Sequence, residues 1–203
     1  MVREVRIYVE GGGEKKDSKG AMQRGFGQFL RDLRALARAQ RIGWSVIACG
    51  ARSATIDAFC IAQRARPEAF SVLLVDAEGP VSMKPRVHVF EGHPRRREVQ
   101  DEQCHLMVQM MEAWLVADVG ALEGFYGSGF RASAVPARHD VEAIDKADLE
   151  AALHNATRDT QKGVYHKTRH APRILERLDT GIVRRKAPHC ERLFRTLRSA
   201  IEG

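Results

Sequence analysis

Acidic residues stand at two places in this sequence where an apolar run stops. Glu10 closes the run that begins at Arg3 and includes Val5, Ile7, Tyr8 and Val9, and Gly11-Gly12-Gly13-Glu14 follows it. Asp76 and Glu78 follow the unbroken apolar run Phe70 to Val75 and precede Gly79-Pro80. Carboxylates brought close together repel unless a cation neutralises them, and a hard divalent ion is the common solution. Mg²⁺ suits a few carboxylates completed by water and phosphate oxygens, and Mn²⁺ accepts the same donors. Acids after strands also serve as helix caps and turn formers. Two such motifs, each with a glycine beside the acids, favour ligation over capping. Glu112 is a further candidate acid, balanced by an ordinary role as a helix-start carboxylate facing the dipole. Arg52, after Gly50, is placed to reach a phosphate in the same crevice.

Other readings of the glycine run fail on chemistry. A phosphate-cradling P-loop needs Gly-Lys-Ser/Thr after its spacer, whereas this chain continues Glu14-Lys15-Lys16-Asp17. A dinucleotide fingerprint would put pyrophosphate where Glu10 and Glu14 carry negative charge.

These acids need a scaffold that presents them together. The pattern predicts a strand over 3–9, a helix from Asp17 or Ser18 to about Arg41, and a strand over Trp44–Cys49. A helix from Ser53 to Arg66 and a strand from Phe70 to Val75 follow. Strand and helix alternating in this way imply an α/β fold with a central parallel sheet flanked by helices. Ligand sites of such sheets lie beyond the carboxyl ends of the strands, where Glu10 and Asp76 fall. Residues 81–103, rich in Pro and Arg (Pro85, Pro94, Arg95, Arg96, Arg97), read as a loop. A fourth strand over His105–Met110 is expected to cover the edge beside the third, with a helix starting near Glu112. Asp145 to Ala156 reads as a helix, and Pro172 and Pro188 open two more. The expected organisation is an α/β core over 1–127 and a basic helical extension over 128–203 packed on it.

Charge follows that division. The 203 residues carry 33 Lys+Arg and 26 Asp+Glu, a net +7, and the whole excess lies in residues 162–203. Lys162, Tyr165, Lys167, Arg169 and His170 precede one predicted helix, and Arg184, Arg185 and Lys186 precede another. Cations before helix N-termini suit phosphate contacts, and Tyr165 adds a stacking surface. The same charge also serves solubility. No aromatic-rich platform argues for base-specific RNA reading. The cysteines (Cys49, Cys60, Cys104, Cys190) lack metal-ligand spacing, and no apolar run is long enough to span a membrane. With no export signal, a reducing cytoplasm is the expected compartment.

A strand ending in Glu10-Gly11-x-x-Glu14, followed further on by a strand ending in Asp76-x-Glu78, resembles the Toprim domain of topoisomerases, primases and OLD-type nucleases. The resemblance covers roughly residues 4–118. It implies a Toprim-like (Rossmannoid) sheet of about four strands, with Glu10 as general acid/base. Asp76 would be a Mg²⁺ ligand, and Glu78 stands where the family has a second aspartate. Glu14 matches an acid of the nuclease-type members. The segments around Met111-Glu112-Ala113-Trp114 and Lys162–Lys167 are similar to a bacterial defence-associated family with a Toprim-type core. That similarity implies a nuclease or effector subunit with an ATPase partner in phage defence. The expectation is thus a metal-dependent nuclease acting on nucleic acid. The alternatives are a non-catalytic nucleic-acid-binding or regulatory subunit whose acidic pocket is vestigial, and an enzyme of free nucleotides.

Overall fold

The computed structural model describes residues 2–92 and 98–203. Pro94 and the arginines Arg95, Arg96 and Arg97 lie outside the described residues. Four strands form one all-parallel sheet in the order β2-β1-β3-β4: β1 (Glu4–Glu10), β2 (Gly43–Gly50), β3 (Ala69–Asp76) and β4 (Cys104–Met107). The fold is therefore α/β, as the alternation predicts. The first and third strands are neighbours, paired from Glu4 with Ala69 to Val9 with Leu74.

Period-two alternation sends the two sides of each central strand to different cores. Val5, Ile7 and Val9 of β1 join Val72 and Leu74 of β3 on one face. Tyr8, Leu73 and Val75 join Phe59 and Phe90 on the other. A strand buried on both faces must be apolar throughout, and 70–75 is nearly so.

The first face is covered by α1 (Lys16–Phe29) and α2 (Arg31–Ala39), the second by α3 (Arg52–Ala65) and by Phe90, which follows the short α4 (Pro85–Val89). The single helix expected up to Arg41 is broken at Leu30, whose φ of -97° and ψ of 18° leave the helical region. A straight helix over that span would run about 35–40 Å, against about 25 Å for a strand of seven or eight residues. The break lets Leu30, Leu33 and Ala37 stay buried against the sheet. Residues 81–103, expected as a loop, contain α4 and a 3₁₀ turn at Asp101–Gln103.

β4 is shorter than the expected 105–110. Beyond it the chain turns into α5 (Glu112–Ala117) and α6 (Val119–Tyr126). The rest is helical: α7 (Lys146–Thr157), α8 (Ala171–Leu175), α9 (Thr180–Lys186) and α10 (Pro188–Glu202). Pro172 and Pro188 stand in the first turns of α8 and α10. Leu149, Ile174, Leu193 and Leu197 share one apolar cluster with Val5, Phe26 and Trp114. Arg192 of α10 covers the outer edge of β4 by donating to the carbonyl of Cys104 at 2.7 Å. No helix among the described residues is long and apolar enough to cross a membrane.

Candidate metal centre

Glu10 is the last residue of β1, where the register with β2 shifts between Val9 and Glu10. The chain then doubles back through Gly11-Gly12-Gly13 into α1. Gly12 has φ +85°, and a Cβ there would lie 2.9 Å from the backbone of Lys19. Only glycine fits a left-handed residue pressed against a helix. Gly50, with φ +95°, closes the neighbouring end of β2 and packs 2.7 Å from the carbonyl of Gly13 at its notional Cβ. The glycines therefore form a tight turn that leads from the strand end into the next helix.

Asp76 ends β3 and is 2% exposed. Its backbone N–H donates to Glu10 Oε2 at 3.1 Å, and its own Oδ1 accepts from the Met111 N–H at 2.8 Å. Beyond it, the N–H groups of Ala77 and Glu78 bond to the carbonyls of Met107 and Gln109 at 2.9 and 2.8 Å. Glu78 sits at φ +65°, a conformation that non-glycine residues hold only under constraint. One carboxylate oxygen each from Glu10, Asp76 and Glu78 lies within 4.8 Å of the others.

The electrostatics bear the mark of this crowding. Burial, and then the Asp76 charge, push the Glu10 carboxyl up to about 7. Lys146, at the start of α7, is ion-paired to Glu78, and its hydrogen bond lowers the Glu78 pKa. Lys167 Nζ lies 3.1 Å from Asp76 Oδ2 and 3.7 Å from Glu112 Oε2. Burial opposes its charge, yet Asp76 and Glu112 outweigh that and hold its ammonium above the ordinary lysine value. Arg52 donates to the carbonyl oxygen of Asp76, so it braces the site from α3.

Glu112 stands behind the cluster, not within it. It is 1% exposed, and Oε1 accepts from the Tyr165 hydroxyl at 2.8 Å. Burial pushes its carboxyl up against the pull of Lys167. Glu14 is exposed on the rim of the same cavity, about 260 Å³ in volume, and is outside the three-acid group.

The C-terminal cations do not converge on the acids. Of that segment, Lys167 reaches them directly. Tyr165, expected as a stacking surface, packs partly buried against the core and supports Glu112. His170 is 7% exposed, with Nδ1 3.0 Å from the Tyr126 hydroxyl. It is thus a core residue, not a phosphate contact. Arg184 is paired with Glu191 at 2.6 Å and lies over the Phe194 ring. Lys186 donates to the carbonyl of Ala117 at 2.8 Å, capping α5. Lys162 lies over the Phe125 ring, and Arg169 and Arg185 are exposed. Sequence reasoning missed Lys146, because nothing in its neighbourhood signals that α7 starts beside β3.

Three carboxylates at adjacent strand ends, with a buried aspartate held by a backbone N–H, fit a hard divalent cation. Ligand oxygens about 2.1 Å from one ion stand about 3–4.2 Å apart, so the three carboxylates would have to draw together and release Lys146 and Lys167. Fold and site together define an α/β protein with an acidic strand-end centre able to hold a metal ion. The chain belongs to the family described as a domain of unknown function (DUF4276), whose model matches residues 9–198. No curated protein and no solved structure matches the chain.

Proposed function

We propose that the protein is a Toprim-type, Mg²⁺- or Mn²⁺-dependent nuclease acting on nucleic acid in the cytoplasm. On this reading it is the effector subunit of a phage-defence system with an ATPase partner. The observation that carries the chemistry is the convergence of Glu10, Asp76 and Glu78 within 4.8 Å at the ends of adjacent parallel strands.

Asp76 and Glu78 would hold the ion, Asp76 pre-oriented by the Met111 N–H and Glu78 by its constrained backbone. A bound divalent ion supplies charge for the phosphoryl oxygens and a lowered pKa for attacking water. Glu10, the third acid of the cluster, stands beside the ion site where it would take a proton from the attacking water. Water oxygen then bonds to phosphorus, the bridging P–O bond breaks, the leaving oxygen takes a proton from solvent water, and Glu10 returns its proton to solvent. Lys167 and Lys146, released from their carboxylates, would face the phosphate oxygens.

The test is cleavage of labelled DNA and RNA with and without divalent ions, run beside Glu10→Ala and Asp76→Ala. Loss of at least 100-fold in both variants is expected, the usual scale for removing a general base or its metal. Equal cleavage by all three proteins would overturn the assignment. The two lysine pairs favour a second reading, in which the acids are neutralised internally and the protein only binds nucleic acid. Calorimetric titration separates the two, because that reading requires no Mg²⁺ or Mn²⁺ binding.

A further inference from the structure

The cavity lined by Glu10 and Asp76 shares one rim residue with a longer hollow along α1. Glu14 on its rim also lines a second hollow with Lys16, Lys19 and Arg24. Gly20, Gln23 and Arg24 are shared between that hollow and a third, about 840 Å³ in volume, walled by Arg34, Trp44 and Arg177. Lys16, Gly20, Gln23 and Gly27 recur every three or four residues, so they form one face of α1. From Lys16 to Gly27 that face runs about 16 Å. Gln23 Nε2 donates to the carbonyl of Val46 at 2.6 Å, tying the helix to the edge strand β2 along the trough.

The charge of this trough is available. Lys16, Lys19, Arg24 and Arg34 have no ion-pair partner among the described residues. With Arg177, which lies over the Phe125 ring, five cations line it against three acids, Glu14, Asp17 and Glu176. The arginines and lysines of the C-terminal helices, by contrast, are partly spent on Glu191, Ala117 and the core, as described above.

We propose that this trough carries the phosphate backbone of a single strand of nucleic acid to and from the acid cluster, with Trp44 offering a surface to a base. The proposal rests on the nuclease reading and adds to it a substrate form and a path. Reading a duplex groove requires a helix or ribbon that projects into it. Here the cations, most of them exposed, lie along the flank of a helix whose other face is buried on the sheet, so no element projects into a groove and a flexible strand tracked by its phosphates fits better.

The experiment is binding of fluorescein-labelled oligo(dT) to the full chain in chelator, followed by anisotropy across a range of salt. The paired substitution Arg24→Ala/Arg34→Ala is expected to weaken binding at least tenfold. It should also flatten the slope of log K against log salt by about 1.4, from two lost phosphate contacts on a single strand. Arg38→Ala/Arg195→Ala, at exposed positions outside the trough, should stay within twofold of the parent. Melting followed by circular dichroism confirms that both variants fold. Tryptophan quenching by oligo(dT) should shrink in Trp44→Phe. Equal losses in the two arginine pairs, or tighter binding of a duplex of the same length, would overturn the path while leaving metal-dependent cleavage standing. No binding by the parent protein would overturn the path, and absence of cleavage in the separate divalent assay would overturn the nuclease reading.

Discussion

At the scale of single residues, Glu10 shows how the site stores electrostatic cost. Its carboxyl is held near 7 in the fold, against an ordinary value of 4.5. Between those values the folded chain keeps a proton that the unfolded chain releases, so stability falls as pH rises through that window. Glu10→Gln removes the titration. In chelator the variant should be more stable than wild type by about 1–2 kcal/mol at pH 8, after allowing for solvent screening of a half-buried group. That advantage should vanish near pH 4. Urea unfolding at the two pH values measures it, and a gain independent of pH would contradict the assignment. Lys167 makes the complementary point. Lys167→Met strips Asp76 and Glu112 of their cation and should cost about 1–2 kcal/mol, given a side chain that is 46% exposed. If the ammonium holds the place of a metal charge, Mg²⁺ should raise the melting temperature of Lys167→Met more than that of wild type. A variant whose melting ignores Mg²⁺ would count against a metal centre here.

At the scale of elements, two of the three glycines of α1 have opposite duties. A Cβ on Gly25 would meet the carbonyl oxygen and Cα of Pro172 at 2.7 and 3.1 Å, because α8 packs directly on the helix there. A Cβ on Gly27 would meet nothing within 4 Å. Gly25→Ala should therefore destabilise by about 1–3 kcal/mol through overpacking. Gly27→Ala should stabilise by about 0.5–1 kcal/mol through helix propensity. Thermal melts of the two single variants settle the pair, and the same sign for both would show that α1 is placed wrongly. Neither duty can be read from the sequence, since both depend on what lies across from the helix. The strands were legible for the opposite reason. Val5, Ile7 and Val9 alternate, 70–75 is apolar without interruption, and glycines or acids stop each run, so these elements and their terminal acids follow from local pattern. The break at Leu30 is set by the length of the sheet it must cover. The pairs Lys146–Glu78 and Lys167–Asp76 join residues far apart in the chain, where no spacing rule operates.

At the scale of the whole molecule, the division into a neutral core and a basic extension describes charge better than it describes construction. Net charge is concentrated in residues 162–203, yet α10 from that segment buries Cys190, Leu193, Phe194, Leu197 and Ile201 in the cluster that also holds β1 and α1. The four larger side chains at about 1.5–3 kcal/mol each amount to roughly 6–12 kcal/mol, as much as the stability of a typical domain. Removing α10 would also strip Arg192 from the edge of β4, exposing its backbone to pairing with other chains. A chain ending at Ala187 is therefore expected to lose cooperative unfolding and near-ultraviolet dichroism and to aggregate. Reversing exposed charges of the segment, as in Arg185→Glu with Arg195→Glu, should leave the fold intact. A truncated chain that still unfolds cooperatively, with wild-type dependence on denaturant, would mean that the extension is an accessory. The expected failure would instead make the helices after residue 128 part of the core that holds Lys146 and Lys167 against the acids.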